Sequence, residues 1–219
     1  MPPRQRSLLA LAVLVCLPLA ASAQLFVEDF DDGTADGFTP IGPGWMVAAG
    51  VYQCETFGFE VYSSSVFGDP TWADYSVSFA IRSTDSANHL LRFRVVDFED
   101  YYVVNLRSEP WNDVELARVM NSERTVIGLA PVAMASGIWH EVTVMAAGFQ
   151  FEVYLDGVPV LSVADPVAPA RLMSGQCAVV CYSGGYVEHQ LVEYDDIVVE
   201  ELTVAVDQVT LSSVKNLFQ

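Results

Sequence analysis

The sequence predicts an all-β fold, a two-sheet antiparallel jelly-roll sandwich filling residues 24–204. Three observations carry it. Apolar and polar residues alternate with period two in several short runs. Turn-forming groups such as Asp69-Pro70, Glu109-Pro110, Asp165-Pro166 and Ser183-Gly184-Gly185 separate those runs. No long stretch holds a helical period before the C-terminus. Many short strands must hide their edges, and two packed sheets do so.

The chain opens with what reads as an export leader over residues 1–23. Arg4 and Arg6 give a basic start, Leu8 to Leu19 is apolar, and Ala21-Ser22-Ala23 is a small-residue cleavage box. The apolar run is too short to cross a hydrocarbon core of about 30 Å as a helix. Cys16 lacks the small residue just before it that a lipid-attachment box wants, so soluble export with Gln24 as the mature N-terminus is expected.

In the body, Tyr75, Val77, Phe79 and Ile81 alternate with Ser76, Ser78, Ala80 and Arg82, the pattern of a half-buried strand. Leu91, Phe93 and Val95 continue the theme, followed by Tyr101 to Leu106 and Val114 to Val119. Later strands are expected at Trp139 to Met145, Phe149 to Leu155, Val158 to Val163, Gly175 to Tyr182 and Val187 to Val199. Asp156-Gly157 between two of them is the dipeptide of a tight hairpin. Trp139 is expected in the core, with Trp45 and Trp72 packed at strand ends. At residues 205–219 a separate tail places Leu211, Val214, Leu217 and Phe218 on one helical face, with Ser212 or Ser213 as N-cap. It reads either as a sorting or docking element or as a frayed terminus.

Trp139-His140-Glu141-Val142-Thr143-Val144, then Gly148, then Phe151-Glu152-Val153-Tyr154-Leu155-Asp156-Gly157, resembles the late hairpin of concanavalin A-like, laminin-G-like domains. Trp72 to Val77 resembles an early strand of that group, Tyr194 to Val199 its closing strand, and Glu28 to Gly33 followed by Trp45 its opening one. The pattern also resembles secreted bacterial modules, including the 3-keto-disaccharide hydrolase domain family. The resemblance implies the fold; that fold hosts lectins, adhesion modules, glycosidases and spacers, so function has to come from a site.

Lys plus Arg is 10 against 28 for Asp plus Glu, a formal net charge of -18, and loss of Arg4 and Arg6 makes it -20. Such a chain is a poor partner for nucleic acid, whose phosphates need clustered cations. Beyond the leader stand Cys54, Cys177 and Cys181, allowing one internal disulfide at most. Cys177 and Cys181 are about 13 Å apart on one strand, too far to bridge. Either Cys54 joins one of them, or all three are small buried hydrophobes. No Cys/His group has zinc spacing.

Catalysis by paired carboxylates finds little support. The laminarinase-type spacing Glu-x-Asp-x-x-Glu is absent: Glu193-Tyr194-Asp195 begins it, but Val198 stands at its end. Asp97 with Glu99, and Glu109 with Asp113, read as solvated turns. A saccharide site instead combines flat aromatic faces with polar groups that orient hydroxyls. Arg92, Arg94, Tyr101 and Tyr102 come from neighbouring strands, and Arg92 and Arg94 share parity, which puts both on one face opposite Phe93; the other reading has the arginines pairing with acids across strands and the tyrosines finishing the core. Trp111 and Asn112 follow as rim residues. Two readings stand for the acids at the chain ends: a structural calcium ion, since in related jelly rolls the first and last strands adjoin and would gather Glu28, Asp29 and Asp31 with Asp195 and Asp196, or turns that splay these side chains into water with no cofactor. The expectation is therefore a secreted, non-catalytic module that binds carbohydrate or a cell-surface partner through a concave sheet face. The alternative is a glycoside hydrolase-like enzyme with unfamiliar spacing.

Overall fold

The computed structural model describes residues 23–83, 88–183 and 188–202; the leader before Ala23 and the tail at 205–219 lie outside the described residues. The strands are β1 (Gln24–Glu28), β2 (Thr39–Ile41), β3 (Trp45–Ala48), β4 (Val51–Phe57), β5 (Val61–Phe67), β6 (Tyr75–Ser83), β7 (Asn88–Val95) and β8 (Tyr101–Arg107). They continue as β9 (Asp113–Met120), β10 (Glu123–Pro131), β11 (His140–Ala147), β12 (Gln150–Leu155), β13 (Val158–Ala164), β14 (Gln176–Ser183) and β15 (His189–Glu201). Among the described residues one short helical turn, Ala170–Met173, accompanies them. Among the described residues no helix is long and apolar enough to cross a membrane.

All pairings are antiparallel and fall into two sheets. One runs β13-β12-β11-β6-β15-β4-β3, with β1 added beside β15; the other runs β10-β9-β8-β7-β14-β5-β2. This is the concanavalin A-like jelly-roll sandwich, and strand alternation builds it. On β6, Tyr75, Val77, Phe79 and Ile81 are buried while their neighbours are half-buried. Val142, Val144, Phe151 and Val153 from the eight-stranded sheet meet Leu91, Phe93, Val104 and Leu106 from the seven-stranded one in a single core. Asp156 and Gly157 both have positive φ (52° and 74°), as a two-residue hairpin turn between β12 and β13 requires. The Asp156 carboxylate also accepts from Glu141 N at 2.9 Å and contacts His140 Nδ1 at 2.9 Å, tying the turn to β11.

Two local features depart from simple alternation. β15 carries a bulge between Asp195 and Val198, at which Asp196 has φ 50°; the strand pairs β4 before it and β1 after it. On β7 a second bulge falls between Arg92 and Val95, opposite Ala178 and Gln176, with Arg94 at φ 50°. The extra residue reverses parity. Phe93 and Arg94 consequently both turn inward, and Arg94 is fully buried over the Phe151 ring.

Trp139 is not in the core. It is 38% exposed, with the Arg82 guanidinium stacked 4.8 Å from its ring, because its position immediately precedes β11 rather than lying within it. Trp45, at the start of β3, and Trp72, in the turn before β6, do pack against the core. All three cysteines are free and buried. Cys54 on β4 and Cys181 on β14 face each other between the sheets, where Cys181 Sγ lies 3.6 Å from Cys54 O and 3.5 Å from Thr56 Oγ1. Contact with the Cys181 thiol, together with burial, holds the Cys54 thiol well above its usual range, and the same contact lowers Cys181. Cys177 contacts Tyr75 Oη instead, and burial pushes it up to about 12.

Candidate functional site

The outer face of the seven-stranded sheet is sunken. Leu90, Val103, Ala117, Val119 and Val180 point away from the core yet are buried, forming a second apolar cluster under Tyr101 and Tyr182. The register aligns them in rows, with Val180 beside Leu90 and Val103 beside Ala117. An outward face with a buried floor is a groove.

Two depressions lie along it and share Arg92. The first, about 350 Å³, is walled by Tyr62, Tyr101, Tyr182, Arg107 and Arg124. Arg92 sits between two rings, its guanidinium carbon 3.9 Å from the Tyr101 centroid and 4.8 Å from that of Tyr62. Its Nη2 donates to Tyr101 Oη at 2.8 Å, and its buried Nε has no partner. Burial raises the Tyr62 phenol, opposed by the adjacent Arg92 charge. At the other end, Arg107 holds Asp113 through two bonds of 2.6 and 2.8 Å, and Glu115 is shared by Arg107, Arg124 and the Asn105 amide. Asp113 and Glu115 share the outward face of β9 with Ala117 and Val119 and pair the arginines at that end; neither is among the residues lining the first depression. The second, about 420 Å³, has polar groups from Thr39, Ser64, Asp97 and Gln176 below an exposed Phe98.

Of the six residues expected to bind ligand, Arg92 and Tyr101 meet in this groove. Arg94 and Tyr102 do not. Arg94 reaches the carbonyls of Ala73 (2.8 Å), Leu172 (3.5 Å) and Gly148 and the carboxylate of Asp74 (3.5 Å), locking three loops together. The reason is the bulge, which breaks the parity on which the pairing of Arg92 with Arg94 rested. Tyr102 is inward because its strand alternates against Tyr101; it stacks on Phe93 and bonds Asp165 at 3.2 Å. Trp111 is exposed in the β8–β9 connection but does not line the groove. Asn112 borders a separate depression with Glu109, Met134 and Ser136. Sequence reading missed Tyr62, Phe98, Arg107, Arg124 and Tyr182, which converge only through pairings between distant strands.

The acids expected to hold calcium divide. Glu28 is turned inward, its two oxygens accepting from Phe30 N (2.9 Å) and Asp36 N (2.8 Å). Asp195 titrates above the usual carboxylate range through partial burial and the nearby charges of Asp196, Asp31 and Asp29. Asp29 and Asp195 each accept from a neighbouring backbone amide. These acids adjoin without enclosing a common point: among the described residues, no group of three or more His, Cys, Asp or Glu is arranged to hold a metal ion. Glu193, for its part, pairs with Arg82 at 2.5 Å on the opposite sheet, away from the groove.

No protein-family model matches the chain, and no curated protein sequence does; the finer likeness to the 3-keto-disaccharide hydrolase domains finds no match. Solved structures do match in fold. A carbohydrate-binding module, CBM66 from Bacillus subtilis, superposes with TM-score 0.63 at 18% identity over 75% of this chain and 96% of its own. A Bacillus subtilis protein of unknown function with a galectin-like fold gives 0.64 at 10% identity, over 82% and 96%. LamA from Z. galactanivorans, solved with laminaritriose and laminaritetraose, gives 0.62 at 10% over 81% and 98%.

Proposed function

We propose that this chain is an exported saccharide-binding module whose ligand lies in the groove on the outer face of the seven-stranded sheet. The observation that carries this is the lining: tyrosines and Phe98 offer flat faces, and Arg92, Asn105, Ser64 and Gln176 offer directional polar groups beside them. Sugar rings present apolar C–H faces and a rim of hydroxyls, so they need both kinds of contact. The carbohydrate-binding module and the laminarin-oligosaccharide complex among its structural neighbours agree with this reading.

A hydrolase reading draws less support from the lining of the two depressions. Two carboxylates must oppose each other across the bound glycosidic bond. The groove offers Asp97 at one rim, whose Oδ1 accepts from Glu99 N and Asp100 N, and no second acid among the residues lining either depression. Export fits the N-terminal leader pattern, and the secreted protein is expected to begin at Gln24.

A glycan array on the protein without residues 1–23 tests the reading, followed by titration of the best ligand against Tyr62→Ala and Phe98→Ala. Each variant is expected to weaken binding roughly three- to ten-fold, the scale of one lost aromatic contact. Binding unaffected by both substitutions would move the site off this face.

A further inference from the structure

The groove concentrates positive charge on a molecule that is otherwise strongly acidic. Seven arginines occur among the described residues, Arg82, Arg92, Arg94, Arg107, Arg118, Arg124 and Arg171, and no lysine. Three of them, Arg92, Arg107 and Arg124, line the first depression, which no carboxylate lines. Six of the seven pair with an acid: Arg82 with Glu193, Arg94 with Asp74, Arg107 with Asp113, Arg118 with Asp165, Arg124 with Glu115 and Arg171 with Asp100. Arg92 alone, among the described residues, does not.

Arg92 is also 92% buried, being 8% exposed. Burying an unpaired guanidinium is unfavourable, and cation–π contact with two rings offsets only part of that. The Tyr101 hydroxyl satisfies one donor, and Nε has none. Nearby, Arg124 is lowered first by burial and then by the like charge of Arg107. Carboxylates Asp113 and Glu115 balance Arg107 and Arg124, leaving about one positive charge uncompensated at Arg92. An anion arriving there would complete the charge balance, and the tyrosines beside it would receive the ring that carries it.

We infer that the groove selects an acidic saccharide, its carboxylate or sulfate group seated at Arg92 between Tyr62 and Tyr101. This rests on the saccharide-binding reading and sharpens it to a ligand class. Overall acidity works with it: the -18 chain repels long polyanions, so a short or terminal acidic sugar is favoured over a densely charged polymer.

The test is calorimetric titration with three matched oligosaccharides, one neutral, one uronate-bearing and one sulfated. At least one acidic form is expected to bind about ten-fold more tightly than the neutral one, the worth of a charge-assisted hydrogen bond. The preference should shrink as salt is raised from about 0.01 M to about 1 M, across which screening shortens from about 30 Å to about 3 Å. The uronate and sulfate arms separate the two sources of the charge. Arg92→Gln is expected to abolish the preference while Arg82→Gln, on the other sheet, preserves it. Should Arg92→Gln fail to fold, Arg124→Gln, at the more exposed end of the groove, is expected to reduce the preference measurably. Equal binding of neutral and acidic sugars that is still lost in Tyr62→Ala would overturn the acidic selectivity and leave the saccharide reading standing. No binding of any sugar would overturn both.

Discussion

Two side chains show how much a single residue decides here. Arg94 looks by spacing like a partner of Arg92 in a binding face, but it is a fully buried cross-link among the loops at Ala73, Gly148 and Leu172. Arg94→Met keeps much of the volume and removes the donors, leaving buried carbonyls unmet. It is expected to destabilise the protein by about 3 kcal/mol, lowering the melting midpoint by roughly 6–12 °C. Arg94→Lys should recover only part of this, because an ammonium cannot reach carbonyls on three sides as a planar guanidinium does. A midpoint unchanged in Arg94→Met would show that the loops hold themselves. Asp195 poses the opposite case. Its pKa is raised in the folded state by burial and neighbouring acids, so its contribution to stability is intact below the unfolded value near 3.8 and is lost as pH rises through the folded value. Asp195→Asn is therefore expected to raise the melting midpoint at pH 7 by roughly 1–3 °C, with the gain vanishing near pH 3. A calcium ion among these acids would reverse the sign, since removing a ligand would then destabilise. Melts of both proteins with and without a chelator separate the outcomes, and a loss of stability in Asp195→Asn confined to calcium-containing buffer would establish the metal.

Individual elements explain what could and could not be read from sequence. Alternation exposed β6, β11 and β12 clearly because each has one face in the core and one toward solvent. β10 was invisible: an edge strand mostly exposed on both faces has no reason to alternate. β5 hid for the contrary reason, since Ser63, Ser64 and Ser65 are all buried and carry no apolar period. Those two elements supply Tyr62 and Arg124, so the groove was half legible at best. The β7 bulge did further damage, because one extra residue inverts every parity argument beyond it. Its seat is visible in retrospect. Gly175 lies so close to the bulge that a Cβ there would come within 2.6 Å of Val95 N, and nothing in a local pattern marks a glycine as the partner of a distant bulge.

At the scale of the whole molecule, one variable should act on stability and on ligand binding with opposite signs. The acidic excess, -18 for the chain and -20 without residues 1–23, must be borne by the folded state as self-repulsion. Half-exposed ion pairs such as Arg171 with the buried Asp100 work against this, each worth about 1 kcal/mol. With 28 acids against 10 bases, repulsion outweighs them. Raising salt from about 0.01 M to about 1 M should therefore raise the melting midpoint, because screening relieves the repulsion. That rise should disappear near the isoelectric point, about 4.2 for the full chain, where little net charge is left to screen. Over the same range the affinity for an acidic saccharide should fall, because its attraction to Arg92 is screened as well. Melting and titration in one buffer series read both slopes. A midpoint that drops with salt would mean that the arginine pairs, rather than the acidic excess, set the electrostatic balance of the fold. Two slopes of the same sign would place the bound anion somewhere other than this basic groove on an acidic chain.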